Sequence, residues 1–489
     1  MRAIDQLLAC FHDYNALQKA SSLMAWDQQV LMPTGGVAAR SAHLAILGRM
    51  AHETLLREET LRLLETAAQE AAPGSDEAAM VRAFQREVDM RRALPADLVE
   101  RKSRVSSDAY KAWRQAREEN NFGLLAPYLT ELFEIARETA ERRGYTAHIY
   151  DPLIDLFEEG ATHAQAAQLF SELKGPIIDL IREIKDQGPV DDEFLSGDWN
   201  QSDLRQWAET TTKAIGFNLE RGRLDITSNA FCMNLSNCDV RMTTRPSSSI
   251  KGILFSSLHE MGHGLYEQCS PPEWDRSPLA GGISMAVHES QSRFWENVVG
   301  RSEAFWQHFY PSLQQALPGL RADRSAFYRA INRIEPGPIR IGSDELSYNL
   351  HILVRFELEC DILEGRVKAA ELPDAWNSKY AEYLGVHPAN DSEGCLQDVH
   401  WSRGSVGYFP TYSMGNLISW QVWDALRNDV KDVDDQMAAG RFAPVLDWLT
   451  ERIYRQGKRY RPNDLVMRVT GNPMGTESYL RNMRTKYVR

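Results

Sequence analysis

The stretch that decides the fold is GRLDITSNAFCMNLSNCDVRMTTR at residues 222–245, followed closely by IKGILFSSLHEMGHGL at 250–265. In the first part polar and apolar residues alternate, and Asn and Ser clusters fall where turns belong, so it reads as two or three short antiparallel strands. In the second, Ile250, Ile253, Leu254, Leu258, Met261 and Leu265 recur at three- and four-residue spacing. That is an amphipathic helix, and it must end before Pro271-Pro272. A small sheet therefore runs straight into a helix that carries His259-Glu260-Met261-Gly262-His263.

His259 and His263 are four residues apart, so both imidazoles project from one side of the helix, one turn apart. That spacing suits two ligands of one tetrahedral zinc ion. Glu260 falls on the adjacent flank, where its carboxylate reaches a water at the metal without ligating the metal. The bland alternative is a pair of histidines on a solvated face. Against it, the motif lies inside an amphipathic helix whose apolar stripe is elsewhere.

Catalytic zinc takes three protein ligands and keeps one position for water. No third histidine follows at short spacing, and the next candidate is Glu289, in MAVHESQSRFWE at 285–296. This segment also reads as a helix, with Val287, Phe294 and Val298 on its buried side. Gly281-Gly282 ahead of it lets the chain turn back against the first helix. His259, His263 and Glu289 then complete a His2Glu set. His288 is a rival ligand, but it and Glu289 face different directions; it is assigned instead to supporting the site or facing substrate.

Outward from this centre the chain reads as helical. Segments 4–24, 38–70, 76–93, 107–142, 163–186 and 201–215 show helical apolar spacing, with breaks at Met32–Gly36 and Ala72–Ser75. No fixed repeat and no low-complexity linker divides it. The expectation is a mainly α protein with one small antiparallel sheet beside the site: a single catalytic domain over 1–489, its N-terminal helices (about 1–120) covering the cleft.

Composition narrows the function further. The net charge is −13, from 55 basic and 68 acidic residues, and no Lys/Arg-rich run tracks a phosphate backbone, so no nucleic acid partner is expected. No uninterrupted apolar run reaches the roughly 18 residues of a membrane span, so no membrane association is expected. Asp5, His12, Asp13 and Lys19 break the amino terminus before a signal-peptide core forms. The six cysteines include no C-x-x-C pair, which fits free thiols and a cytoplasmic location.

Two downstream stretches are rich in polar groups: IRIGSDELSYNLH at 339–351 and GCLQDVHWSRGSVGYFPTY at 394–412. Alone, each reads as capped helix ends and a glycine-rich turn. Together with the metal motif they carry more. With Asp239-Val-Arg241-Met-Thr243, His259–His263, His288-Glu289-Ser290-Gln291, Ile339-Arg340-Ile-Gly-Ser343-Asp344 and Gly394–Trp401 in order, the sequence resembles the thermostable (Taq-type) zinc metallocarboxypeptidases over essentially its whole length. Softer matches are Trp26-Asp27-Gln28 and Tyr150-Asp151 to Glu159-Gly160. Departures are Ser343 in place of the family's alanine, Gln291 directly after Ser290, and the stretch from Ile226 to Asn237.

The resemblance implies a nearly all-helical, zincin-like fold with a deep cleft, assembled as a homodimer. It implies release of single residues from peptide C-termini with broad specificity, using zinc or sometimes cobalt. Glu260 is then the general base, with His400 and Tyr412 the best donors to the oxyanion and Tyr408 second. Arg340 is the candidate for the substrate carboxylate and Arg241 the next; the plainer role for Arg340 is an ion pair with Asp344, four residues on. Two rival functions are an internally cutting zinc oligopeptidase and a helical binding protein with structural zinc. The second is disfavoured because structural zinc sites are closed by four ligands, usually rich in cysteine.

Overall fold

The computed structural model describes residues 2–488. Helical periodicity becomes α1 (Ala3–Val30), α2 (Val37–Leu55), α3 (Glu58–Glu70), α4 (Asp76–Arg92), α5 (Ala96–Glu119), α6 (Ala126–Arg143), the short α7 (Asp151–Ile154), α8 (His163–Lys185) and α9 (Gln201–Ile215). Two stretches that read as single helices are each broken in two. The 38–70 stretch stops at Leu56-Arg57, and the 107–142 stretch stops where Asn120 takes a left-handed φ of 50°. Asparagine tolerates that conformation, and the break falls in the all-polar run Arg117–Asn121 between Ala116 and Phe122. Other boundaries are side-chain caps: Ser75 on α4, Thr162 with Gln165 in a capping box on α8, and Asn200 on α9.

The sheet comprises β1 (Gly222–Ile226), β2 (Cys232–Ser236) and β3 (Asp239–Thr244), in the order β1-β3-β2. β2 and β3 form the expected antiparallel hairpin, but β1 pairs parallel to β3, with Gly222 opposite Val240. The all-antiparallel expectation is thus corrected to a mixed sheet. The link between β1 and β2 arches over the end of β3, held by Thr227 N–H to the Thr244 carbonyl and by Phe231 N–H to Thr243 Oγ1. Alternation reports which face a residue takes and is silent about which strand lies beside it.

Leu224, Val240 and Met242 leave the sheet for the main apolar core, shared with α10 (Ile250–Gln268). A side chain at Gly264 would stand 3.1 Å from Met242 Sδ, so glycine there lets α10 lie close on the sheet. After α10 come α11 (Met285–Arg293), a π-helical turn at Phe294–Val299, α12 (Glu303–Ala316), α13 (Arg324–Ile331), α14 (Ser347–Leu363), α15 (Leu372–Leu384) and α16 (Pro410–Asp429). Four shorter helices complete the described chain. α11 runs between α10 and α16.

Helices α1–α4 hold a separate apolar cluster around Leu7, Phe11, Leu55, Leu64 and Phe84, whereas α5 joins the main core through Leu98, Val105 and Ala109. The N-terminal cluster meets the rest through polar ties: Arg82 with Glu159, Arg86 with Asp155, and Lys19 with Asn234. All six cysteines are free thiols, and no helix among the described residues is long and apolar enough to cross a membrane.

Candidate metal centre

α10 and α11 cross at Gly262, where the Gln291 carbonyl and the Ser292 backbone occupy the space a side chain would fill. α11 meets α16 at Gly415, whose missing side chain would stand 2.7 Å from Glu289 Cγ. These two glycines allow the close approach that brings Glu289 to the histidines of α10. His259 Nε2 and His263 Nε2 stand 3.7 and 3.6 Å from Glu289 Oε2. Donor atoms of the three residues all lie within 4.8 Å of one another. Tetrahedral zinc with bonds of about 2.0–2.1 Å needs donors about 3.4 Å apart, so the set fits a metal with small adjustment. Each imidazole keeps 18% of its side-chain surface open against 8% for Glu289, so the open side lies with the histidines.

The ring nitrogens turned away from this point are held from behind. His259 Nδ1 is 2.8 Å from Glu296 Oε2. His263 Nδ1 is 2.6 Å from His288 Nδ1, and His288 Nε2 is 2.7 Å from Glu267 Oε1. One tautomer chain satisfies every group: His263 Nδ1–H donates to His288, and His288 Nε2–H donates to Glu267. That leaves both Nε2 lone pairs free for a metal. Glu267 also accepts from Gly282 N–H and Asn234. Burial opposes its charge, but His288 and these donors outweigh it and hold the carboxyl at about 2. Lys19 of α1 donates to the Asn234 carbonyl at 2.9 Å, so the chain of contacts reaches the N-terminal helices.

His288, read from sequence as supporting the site or facing substrate, takes the first of these places and stands behind His263. Gly282 leaves it room, since a side chain there would come within 3.1 Å of its ring. Glu260 is 5% exposed. Burial raises it to about 7, with Glu289 and Glu296 adding and His259 opposing. Among the described residues none donates a hydrogen bond to it, unlike Glu267, Glu289 and Glu296.

The second group comes from the 394–412 stretch. His400 Nε2 is 3.2 Å from the Tyr412 hydroxyl, and the Tyr408 ring stacks on His400 at 5.4 Å. Burial pushes His400 down to about 3, so it is neutral near pH 7. Burial raises the hydroxyl of Tyr408 to about 12 and that of Tyr412 well above its ordinary value, with Tyr408 adding to the Tyr412 shift; both stay protonated and able to donate. Both feel the charge of Glu289, which joins this group to the His259–His263–Glu289 cluster.

Arg340 is 5% exposed and bonds Asp398 through Nε at 3.1 Å and Nη2 at 2.6 Å, with Nη1 on the Tyr348 hydroxyl at 2.9 Å. The alternative pairing with Asp344 does not form. Arg340 sits in a 3-10 turn, and Asp344 instead takes the N–H groups of Leu346 and Ser347 at the start of α14. Asp398 also pairs with Arg355 at 2.5 Å, so two guanidinium groups share one carboxylate. Arg241 forks onto Asp239 at 2.8 and 2.9 Å and lies over the Trp26 ring of α1, 4.5 Å from its centre.

Sequence reasoning missed Glu267, Glu296, Arg293, Asp398 and Arg355. Three had a visible signal. Glu267 extends the 259–263 face by one more turn, Glu296 lies seven residues after Glu289, and Asp398 stands two before His400.

The chain matches the Carboxypeptidase Taq (M32) metallopeptidase family over residues 6–487. It is 35% identical over 492 residues to thermostable carboxypeptidase 1 of Pyrococcus furiosus, covering 99% of this chain and 98% of that protein. It is 36% identical over 501 residues to thermostable carboxypeptidase 1 of Thermus thermophilus, covering 99% and 98%. The solved Pyrococcus furiosus carboxypeptidase superposes with a TM-score of 0.97 at 34% identity, covering 100% of this chain and 99% of that one. A whole-length match of sequence and fold makes this chain a metallocarboxypeptidase of the Carboxypeptidase Taq (M32) family.

Proposed function

We propose that the chain is a zinc carboxypeptidase that releases single residues from peptide C-termini with broad specificity, with Glu260 as general base. One observation carries this reading: three donors converge from two helices while the buried Glu260 beside them has no hydrogen-bond donor among the described residues. Zinc, or cobalt in its place, held by His259, His263 and Glu289 supplies Lewis-acid chemistry, acidifying water towards neutral pH and polarising the scissile carbonyl. Glu260 takes the proton of the attacking water and delivers it to the leaving amine. A carboxyl raised to about 7 suits both halves of that transfer. The Tyr412 hydroxyl, held by His400, donates to the oxygen that gains charge in the transition state, with Tyr408 as second donor.

Arg340 receives the free carboxylate of the substrate, and Arg241 is the next residue for that role. Among the described residues Arg340 and Arg355 form ion pairs with Asp398 alone, which leaves excess positive charge beside the Tyr412 ring, 5.1 Å from the Arg340 guanidinium. The reading extends to one catalytic unit over 1–489 with the N-terminal helices covering the cleft, working as a cytoplasmic homodimer on peptides. The family resemblance supports that extension.

Glu260→Gln tests the core of the reading. The variant should bind zinc like the parent and lose nearly all hydrolysis of N-blocked dipeptides. Loss of metal would instead make Glu260 a ligand and end its role as base.

A further inference from the structure

We infer that Arg293 is a positioning residue that holds Glu289 to the metal through one oxygen and so keeps a coordination position open. The inference rests on the reading that His259, His263 and Glu289 hold the metal.

Arg293 closes α11, and 12% of its side chain is exposed. Its Nε donates to Glu289 Oε1 at 2.8 Å, and its Nη1 donates to Glu296 Oε2 at 3.1 Å. That same Glu296 oxygen is 2.8 Å from His259 Nδ1. One guanidinium therefore ties two of the three ligands, Glu289 directly and His259 through Glu296. The ring of Tyr348 lies against it at 4.2 Å and limits its movement.

The two oxygens of Glu289 are not equivalent. Oε2 faces both histidines and accepts from Ser292 Oγ at 3.2 Å, whereas Oε1 is occupied by Arg293. Carboxylates bind metals through one oxygen or two. A two-oxygen Glu289 would fill the position that a catalytic site must leave for water and substrate. A guanidinium is always charged, and its N–H groups point in fixed directions, so it restrains Oε1 while its other arm holds Glu296. A lysine ammonium supplies the charge without that fixed fork.

The test uses Co2+ as the probe, added to metal-free parent, Arg293→Met, Arg293→Lys and Glu289→Ala. Affinity is read by competition with a chelating dye, coordination by visible absorption, and folding by circular dichroism. Four-coordinate Co2+ absorbs more strongly than five-coordinate Co2+, so the spectrum reports the geometry independently of activity. The parent should bind one equivalent with strong four-coordinate bands. Arg293→Met should bind about 10–100-fold more weakly, with weaker five-coordinate bands. Arg293→Lys should recover part of the affinity through its charge and keep the weaker bands.

Parent-like bands and affinity in folded Arg293→Met would overturn the inference. Should that variant not fold, parent-like bands in Arg293→Lys would overturn it. Glu289→Ala separates this from the reading beneath. If it keeps the parent's bands, the ligand assignment fails and the inference with it. If it loses them while the Arg293 variants match the parent, only the role of Arg293 falls.

Discussion

Gly262→Ala adds one methyl group where α10 crosses α11, and its effect follows from the packing. The new carbon would lie 2.6 Å from Ser292 Cα and 2.8 Å from the Gln291 carbonyl carbon, with the Gln291 oxygen closer still. Ordinary carbon–carbon contact begins at about 3.5 Å, so the helices must part by about 1 Å. The obstacle is backbone, so no rotamer change relieves it. Glu289 is two residues from Gln291, and its Oε2 stands 3.6–3.7 Å from the histidine nitrogens. Metal–ligand bonds tolerate about 0.2 Å, so a 1 Å retreat should weaken metal binding by about 10²-fold or more, about 2.7 kcal/mol. Overpacking costs about 1–3 kcal/mol of fold stability, and the better helix propensity of alanine returns at most about 1 kcal/mol. Competition with a chelating dye gives the affinity, and thermal unfolding of the metal-free protein gives the stability. Gly48→Ala is the control, because it lies within α2 with nothing within 4 Å of the added carbon. It should leave metal affinity unchanged and raise stability slightly. A folded Gly262→Ala with the parent's affinity would refute the idea that this glycine sets the ligand spacing.

Tyr412→Phe keeps the ring and removes the hydroxyl that His400 holds; kcat should fall by about 10²–10³ with KM little changed, and a fall of that size only in Tyr408→Phe would move the role there. The parent should cleave free-acid peptides far better than C-terminally amidated ones, and Arg340→Met should erase most of that preference. An intact preference in folded, metal-loaded Arg340→Met would transfer the role, with Arg241 tested next. Glu267 is held at about 2 against an ordinary 4.5, so its stabilisation is complete above pH 4.5 and is lost as pH falls from 4.5 towards 2. In metal-free protein, Glu267→Gln should therefore cost about 3 kcal/mol near neutral pH, with the gap to the parent closing across that acid window. A gap that is constant in urea midpoints from pH 7 to pH 3 would contradict the assignment.

The sequence by itself determined which local elements form and which residue types cluster. Helical spacing placed His259, Glu260 and His263 on one helix, because that geometry depends only on 3.6 residues per turn. Alternation marked residues 222–245 as strands for the same local reason. Tertiary structure alone decided the partners. Whether β1 lies beside β2 or β3, whether Arg340 meets Asp344 or Asp398, and whether His288 faces substrate or backs His263 all depend on how distant segments pack. The polar groups that steady His259, His263 and Glu289 show why. Glu267 reads as one more helix residue and Arg293 as one more charge until α10 and α11 cross at Gly262. Periodicity is a property of one segment, whereas a hydrogen bond between segments exists only after both have folded against each other.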